Sequence, residues 1–127
     1  MLANRISAVI IQDKKILLVT DKEKKVYWTP GGKVDEGETH EEALKRELSE
    51  ELKINLVSTR EYINYKTFNE VYKQKQEVYC YFVKHGGTPI PSQEIGGCDW
   101  FSRDNLPKMR YTIETILIPK LLEDGLL

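Results

Sequence analysis

Features of secreted and membrane-spanning proteins are scarce in this sequence. Its two cysteines, Cys80 and Cys98, are too few for a disulfide framework, and we expect both to be reduced residues that pack against their neighbours. No apolar run approaches the roughly 18 residues that cross a membrane, and residues 1–5 lack the layout of a signal peptide. These absences predict a cytoplasmic protein that has no membrane partner.

An excess of one charge is also lacking. The 19 lysines and arginines nearly balance the 20 aspartates and glutamates, and the formal net charge is -1. Because no overall field attracts polyanions, we expect no nucleic-acid partner. The chain of 127 residues, 40% of them hydrophobic, is long enough to bury its own core, so we predict a single domain over residues 1–127. The oligomeric state is not indicated by the sequence.

Beta-branched and aromatic residues predict strands at residues 6–11, 16–19, 55–68, 77–84 and 100–101, with a turn at residues 69–70. In the fourth of these, Val78, Cys80 and Phe82 face one way and Tyr79, Tyr81 and Val83 the other, which predicts a strand covered on both faces. Apolar residues from 113 to 121 predict a terminal amphipathic helix, in which Pro119 predicts a kink or an early stop. Strands on both sides of a central helix argue for a mixed sheet between helices.

That central helix is indicated by residues 32–54. The spacing of Thr39 and Glu42 is typical of a capping box, so we expect the helix to begin at Thr39. Leu44, Leu48 and Leu52 recur every four residues and form one apolar stripe. Gly31 and Gly32 lie before the helix in a predicted turn, where glycine lets the backbone approach a ligand or metal closely.

Glu47, Glu50 and Glu51 are neighbours along one edge of the leucine stripe. Like charges at this spacing cost about 0.2–0.5 kcal/mol per pair, and acids near a helix C-terminus oppose the macrodipole. Local rule-breaking of this kind tends to mark function, and a hard divalent cation is the natural compensation for clustered carboxylates. The alternative interpretation is a solvated charged face.

The same segment resembles the signature of the Nudix hydrolases. The positions that match that pattern in register are Gly32, Glu38, Arg46, Glu47, Leu48, Glu50, Glu51 and Ile54. The resemblance implies an α/β/α sandwich with a mixed β-sheet. It also implies an enzyme that uses Mg²⁺, with Mn²⁺ as a possible substitute, to hydrolyse a diphosphate linkage in a nucleoside diphosphate derivative. Residues 31–39 look most like the MutT branch, which acts on nucleoside triphosphates.

The resemblance implies roles for several residues. Glu50 and Glu51 are the expected metal ligands, together with the carbonyl of Gly31 and, from a distant loop, Glu94. Glu47 belongs to the same metal cluster and is the candidate base that takes a proton from the metal-bound water. Arg46 precedes Glu50 by four residues and is expected to hold it by a charge-assisted hydrogen bond. Gly32 and Glu38 are assigned supporting roles.

Substrate contacts are expected from aromatic residues, because every base offers a face for stacking. The candidates are Tyr27, Trp28, Tyr65, Phe68 and Tyr72, with Lys33 as a further contact. Hydrogen-bonding groups that read the base are sought near the last helix, at Asn105, Thr112 and Glu114.

Three functions remain open at this level. The first is a Mg²⁺-dependent pyrophosphohydrolase of nucleoside triphosphates, with dinucleoside polyphosphates, nucleotide sugars and ADP-ribose as other substrates. The second is a non-catalytic module that senses a nucleotide. The third is an unrelated structural α/β domain with a charged helix.

One position departs from the family pattern. Lys53 stands where the family usually has glycine, which suggests a left-handed exit from the helix. Either the helix continues one residue further, or Lys53 adopts a strained left-handed conformation.

Overall fold

The computed structural model describes residues 3–69 and 72–127. In chain order the elements are β1 Ala3–Val9, β2 Ile11–Gln12, β3 Lys15–Thr20, β4 Tyr27–Trp28, β5 Gly31–Lys33, α1 His40–Leu52, β6 Asn55–Asn69, β7 Gln74–Gly86, β8 Gly97–Phe101, a π-helical turn Ile113–Leu117 and α2 Ile118–Glu123. The turn predicted at residues 69–70 is not seen at Asn69, which ends β6, and residue 70 lies outside the described residues. Across the described ranges, no helix has both the length and the apolar character of a membrane span.

The strands form two sheets. In the first sheet the order is β5-β1-β7-β6, and it is mixed because β1 runs parallel to β7 but antiparallel to β5. The strands β6 and β7 form a long antiparallel hairpin with two register shifts. In the second sheet β3 pairs with β8 over residues 16–20 and with β2 and β4 at its two ends.

Two apolar cores lie on opposite sides of these strands. The leucine stripe of α1 packs on Ile6 and Ala8 of β1 and on Leu17 of β3. On the other side, Val9 and Leu18 pack with the C-terminal segment, including the π-helical turn and α2. Alternate residues of β1 therefore serve different cores, as the period of two along a strand requires. The arrangement is the predicted α/β/α sandwich.

The strand β7 is covered on both faces, as predicted. Val78, Cys80 and Phe82 belong to the core beside the C-terminal helix, whereas Tyr79, Tyr81 and Val83 belong to the core beside α1. Cys80 is buried and Cys98 is partly buried, and both are free thiols.

The glycine-rich segment before α1 differs from its prediction. Residues 31–33 are not a turn but the short strand β5, which pairs antiparallel with β1. A side chain at Gly31 would put its Cβ 2.1 Å from the carbonyl oxygen of Ile6, and Gly31 has φ 140°. Glycine is required here because β1 comes too close for any side chain.

Helix α1 begins as predicted. The side chain of Thr39 accepts a hydrogen bond of 3.1 Å from the backbone N–H of Glu42, and the Glu42 side chain accepts one of 3.0 Å from the N–H of Thr39. This reciprocal pair satisfies two N–H groups that the helix cannot satisfy itself.

The C-terminal helix is interrupted before Pro119. The chain forms a π-helical turn at Ile113–Leu117, and the N–H of Ile118 bonds to the carbonyl of Ile113. Pro119 then lies in the first turn of α2, where its missing N–H is tolerated. The predicted early stop at Pro119 is wrong, since α2 continues to Glu123, and the predicted kink stays a prediction.

Lys53 ends α1 in the left-handed region, at φ 54° and ψ 36°. Of the two alternatives, the structure excludes a helix that continues one residue further and shows the left-handed exit at Lys53. The N–H of Lys53 bonds to the carbonyls of Leu48 and Ser49, so the backbone of this cap is satisfied despite the strain.

Replacing Lys53 with glycine should stabilise the protein. Glycine removes about 1–2 kcal/mol of left-handed strain but loses part of that through its greater unfolded-state entropy, so we expect a net gain of about 0.5–1 kcal/mol. Thermal unfolding followed by circular dichroism should show a melting temperature higher by a few degrees. Lys45→Gly, at an exposed position inside α1, is the matched control and should lower it. A decrease for Lys53→Gly would contradict the strain.

Candidate active site

Glu51 is an ionisable residue in the protein interior, only 3% exposed. One of its carboxylate oxygens accepts a hydrogen bond of 2.9 Å from the backbone N–H of Gly31. Burial is the main cause that raises the pKa of Glu51 to about 8; the charges of Glu47 and Glu94 act in the same direction, whereas Gly31 and Arg5 oppose it. Helix α1 and strand β5 therefore meet at a carboxylate that is costly to ionise.

Glu47 lies one helical turn earlier, against Gly32. A Cβ at Gly32 would lie 2.7 Å from a carboxylate oxygen of Glu47, so the space that a side chain would fill is occupied by that carboxylate. Burial raises the pKa of Glu47, and the charges of Glu50 and Glu94 add to the effect, against the opposing influence of Arg46. Glycine at position 32 thus fits the supporting role assigned to it.

Arg46 is the centre of an ion-pair network beside these carboxylates. Its guanidinium donates to Glu38 at 2.6 and 3.0 Å, to Glu47 at 2.8 Å and to the carbonyl of Lys33 at 3.0 Å. The predicted contact with Glu50 is present but is the longest of the set, at 3.5 Å. Arg46 therefore holds Glu47 more closely than Glu50.

Glu38 anchors the other end of this network. The Arg46 guanidinium, followed by the backbone N–H of Asp35, lowers the pKa of Glu38 to about 2. Because Glu38 stays ionised at neutral pH, it fixes Arg46, and Arg46 in turn positions Glu47.

The loop between β7 and β8 brings Glu94 towards the same place. The N–H of Ser92 donates to the carbonyl of Glu51 at 2.8 Å, and the N–H of Ile90 donates to that of Leu52 at 2.8 Å. These bonds tie the loop to the end of α1. Glu94 is exposed, yet its charge contributes to the raised pKa values of Glu47 and Glu51.

The carboxylates of the site differ in exposure. Glu51 is buried, the Glu47 side chain is 14% exposed and the Glu50 side chain is 50% exposed. Across residues 3–69 and 72–127, no three acidic, histidine or cysteine side chains are grouped closely enough to form a metal centre as they stand. The assignment of Gly31, Glu47, Glu50, Glu51 and Glu94 as metal ligands stays a prediction.

A cavity of about 850 Å³ opens beside the two glycines. Gly31 and Gly32 form part of its wall, so it adjoins the carboxylates of Glu51 and Glu47. Its aromatic lining residues are Trp28, Tyr65, Phe68, Tyr72 and Tyr111. Phe68, Tyr72 and Tyr111 are well exposed, which is unusual for large apolar side chains and suits a surface that stacks on a ligand.

Some of the predicted substrate residues line the cavity and others do not. Trp28, Tyr65 and Tyr72 line the cavity, as does Phe68. Tyr27 instead packs edge-on against Phe101, with ring centroids 5.0 Å apart, and Lys33 is exposed on β5; neither is among the lining residues.

Of the groups sought for reading a base, only Thr112 lines the cavity, where its hydroxyl accepts a hydrogen bond of 3.1 Å from Tyr65. The side-chain oxygen of Asn105 accepts two hydrogen bonds from Ser102, one from its backbone N–H at 2.7 Å and one from its hydroxyl at 3.0 Å. Glu114 is exposed and is not among the lining residues.

Arg5 and Arg110 line the same cavity and were not found by sequence reasoning. Arg5 alternates with the buried Ile6 on β1, so strand periodicity could have placed its side chain opposite α1. No comparable signal exists for Arg110. Its position depends on an isolated β-bridge between Tyr27 and Met109, the residue before it.

Comparison with known proteins agrees with this architecture. The model of the NUDIX domain family matches residues 1–121. A Bacillus subtilis (strain 168) protein, whose name provisionally assigns it an 8-oxo-dGTP diphosphatase activity, is 30% identical over 99 residues. That match covers 78% of this chain and 65% of the relative, so the chain spans about two thirds of that protein's length.

Solved structures share the fold. A MutT NUDIX hydrolase from Burkholderia pseudomallei superposes with a TM-score of 0.81 at 26% identity, over 90% of this chain and 94% of that one. A UDP-X diphosphatase superposes with a TM-score of 0.77 at 25% identity, over 98% of this chain and 64% of that one. Nudix hydrolases generally use a divalent metal ion such as Mg²⁺. With its family model matched over almost its whole length, this chain belongs to the Nudix hydrolase family.

Proposed function

We propose that the chain is a Mg²⁺-dependent pyrophosphohydrolase that cleaves a diphosphate linkage in a nucleoside triphosphate. The observation that carries this proposal is the position of Glu47 and Glu51 directly behind Gly31 and Gly32, which form a wall of an aromatic-lined cavity. A nucleotide has the two parts that this arrangement suits, a phosphate chain and a flat base.

The carboxylates fit a divalent cation. Glu51 is buried, and the charges of Glu47 and Glu94 make it still harder to ionise. A bound cation would offset that burial and repulsion together and keep Glu51 ionised, and hard cations prefer oxygen ligands. Glu47, Glu50 and Glu51 would hold it, with the Gly31 carbonyl and Glu94. When bound, Mg²⁺ neutralises phosphate oxygens and lowers the pKa of a coordinated water.

Glu47 is the group that we assign to take a proton from the attacking water. Burial raises the pKa of Glu47 above the ordinary carboxyl value, which is the direction that suits a general base. Arg46 donates to one carboxylate oxygen at 2.8 Å and keeps the side chain in place against Gly32. The network of Glu38 and Arg46 therefore acts on the reaction by positioning Glu47.

The cavity is the proposed site for the nucleoside. Stacking of a base on an aromatic side chain is worth about 1–3 kcal/mol, which favours nucleotides over inorganic polyphosphate. Trp28, Tyr65, Phe68 and Tyr72 supply such faces. The name of the Bacillus subtilis relative supports a nucleoside triphosphate with a modified purine.

A second candidate is a nucleoside diphosphate joined to another group, as in nucleotide sugars, dinucleoside polyphosphates and ADP-ribose. The observation in its favour is the cavity volume of about 850 Å³, which lies in the upper part of the roughly 300–1,000 Å³ range of small-molecule sites. The similarity to the UDP-X diphosphatase points the same way.

Product analysis in ¹⁸O-labelled water tests the proposed reaction. With a panel of nucleoside triphosphates including 8-oxo-dGTP, and with Mg²⁺ present, we expect a nucleoside monophosphate and pyrophosphate, one of which carries the label. Release of orthophosphate alone would contradict attack on an inner phosphorus. Turnover only of UDP-linked sugars or ADP-ribose would favour the second candidate, and metal-dependent binding without turnover would favour a sensor.

Replacing Glu47 with glutamine should remove most of the turnover while leaving the fold nearly intact. Most of the affinity for Mg²⁺ should also remain, because the ligands Glu50 and Glu51 are unchanged. The loss of a general base typically lowers kcat about 10²–10⁴-fold. Steady-state kinetics would measure this, with Glu41→Gln, at an exposed position in the first turn of α1, as the control. A near-normal kcat for Glu47→Gln would refute the assignment.

Replacing Glu51 with glutamine should change how stability depends on pH in the metal-free protein. Because the pKa of Glu51 is raised to about 8 in the folded state, the wild type should lose stability as pH rises from the ordinary carboxyl pKa through 8. The variant should lack this loss, and its affinity for Mg²⁺ should fall. Thermal unfolding in EDTA between pH 5 and 9 would measure it, with Glu50→Gln as the exposed control. A wild-type pH profile in Glu51→Gln would exclude the effect.

A further inference from the structure

Two arginines line the cavity and form no ion pair with the acidic residues that the structure describes. Arg5 comes from β1, and Arg110 precedes the π-helical turn. Neither forms a salt bridge with any acidic side chain in residues 3–69 and 72–127, whereas Arg46 contacts Asp35, Glu38, Glu47 and Glu50. The donors of Arg5 and Arg110 are therefore available to a ligand.

Arg110 is held in a defined position. Its backbone N–H donates to the carbonyl of Tyr27 at 3.1 Å, and the N–H of Tyr27 donates to the carbonyl of Lys108 at 2.9 Å. Its guanidinium lies over the ring of Trp28, 3.7 Å from the centroid. Stacking of this kind uses the face of the guanidinium and leaves its in-plane N–H groups free for a bidentate acceptor.

The two cations also affect each other. The side chain of Arg110 is open to the cavity, but the surrounding protein removes enough water to lower its pKa, and the charge of Arg5 lowers it further. The charges of Asp21 and Glu51 act in the opposite direction on Arg110, and Arg5 in turn lowers the pKa of Glu51. Both arginines line the cavity whose wall includes Gly31 and Gly32, and these glycines contact Glu51 and Glu47. An anion bound in this cavity would relieve the repulsion between the arginines.

We propose that Arg5 and Arg110 bind the phosphate group that stays with the nucleoside after cleavage. The inference rests on the proposed function, since it needs a phosphate chain bound at the carboxylates and a nucleoside against the aromatic walls, and the two arginines line the same cavity as those walls. Arginine suits this role because its fork of donors matches phosphate in charge and geometry. The cavity therefore selects nucleotides by an anionic group as well as by a stacking base.

This pair should give the nucleoside monophosphate product a measurable affinity in the absence of metal. The test is calorimetric titration in EDTA with dGMP and, separately, with deoxyguanosine. Arg110→Gln and Arg5→Gln should weaken dGMP binding about ten- to a hundredfold, because each removes a charge-assisted hydrogen bond. Arg110→Lys keeps the charge without the fork and should lie between. Deoxyguanosine affinity should be unchanged.

Arg60→Gln is the matched control. Arg60 also stacks on an aromatic ring, with its guanidinium 5.0 Å from the centroid of Phe82, but it lines a different cavity on β6 and β7. It should leave dGMP binding unaffected. In Mg²⁺-containing assays, the Arg110 variants should raise KM more than they lower kcat.

Three results would overturn the proposal. The first is failure of dGMP to bind the wild type without metal, and the second is unchanged dGMP affinity in both glutamine variants. The third is an equal loss of affinity for dGMP and for deoxyguanosine, because that result would show that the arginines contact the base. Circular dichroism checks each variant's fold, and Arg5→Gln with Arg110→Lys replaces Arg110→Gln if that variant unfolds. If no nucleotide is hydrolysed but metal-free dGMP binding still depends on the arginines, the proposed function fails while this inference stands.

Discussion

The hydrogen bond between the backbone N–H of Gly31 and the buried carboxylate of Glu51 fixes how helix α1 meets strand β5. A buried charge is tolerated only with partners, and here one partner is a backbone group that cannot move away from its strand. The pairing requires glycine at position 31, since β1 passes within 2.1 Å of where a Cβ would lie. The leucine stripe of α1 supplies the packing that holds the carboxylate in place.

The site groups several carboxylates, and Arg46 is the cation that binds them. Arg46 binds Glu38 and Glu47 closely and lowers the pKa of Glu38, whereas burial leaves both Glu47 and Glu51 with a raised pKa. Evolution keeps such an arrangement at a stability cost where the function requires it. On the far side of β5, Arg5 and Arg110 carry positive charge into the cavity, so a phosphate chain would lie between the two sets of charges.

Local signals in the sequence were enough for α1, since the capping box at Thr39 and the leucine spacing act within one helix. They were also enough to place Glu47, Glu50 and Glu51 side by side on one edge of the helix, because a helix fixes their separation. They failed at β5, where the pairing with β1 overrides the turn preference of the glycines. Arg110 could not be placed either, because its position depends on contacts between segments far apart in the chain. Long-range pairing, which periodicity does not encode, set those parts of the site.

The central claim is that the carboxylates of α1 and the adjoining cavity bind one nucleotide together. A crystal structure of the protein with Mg²⁺ and an uncleavable nucleoside triphosphate analogue tests it most directly. The account predicts Mg²⁺ bound by Glu47, Glu50 and Glu51, and the base against the aromatic walls of the cavity. Electron density for the nucleotide elsewhere, or Mg²⁺ bound away from these three carboxylates, would contradict it.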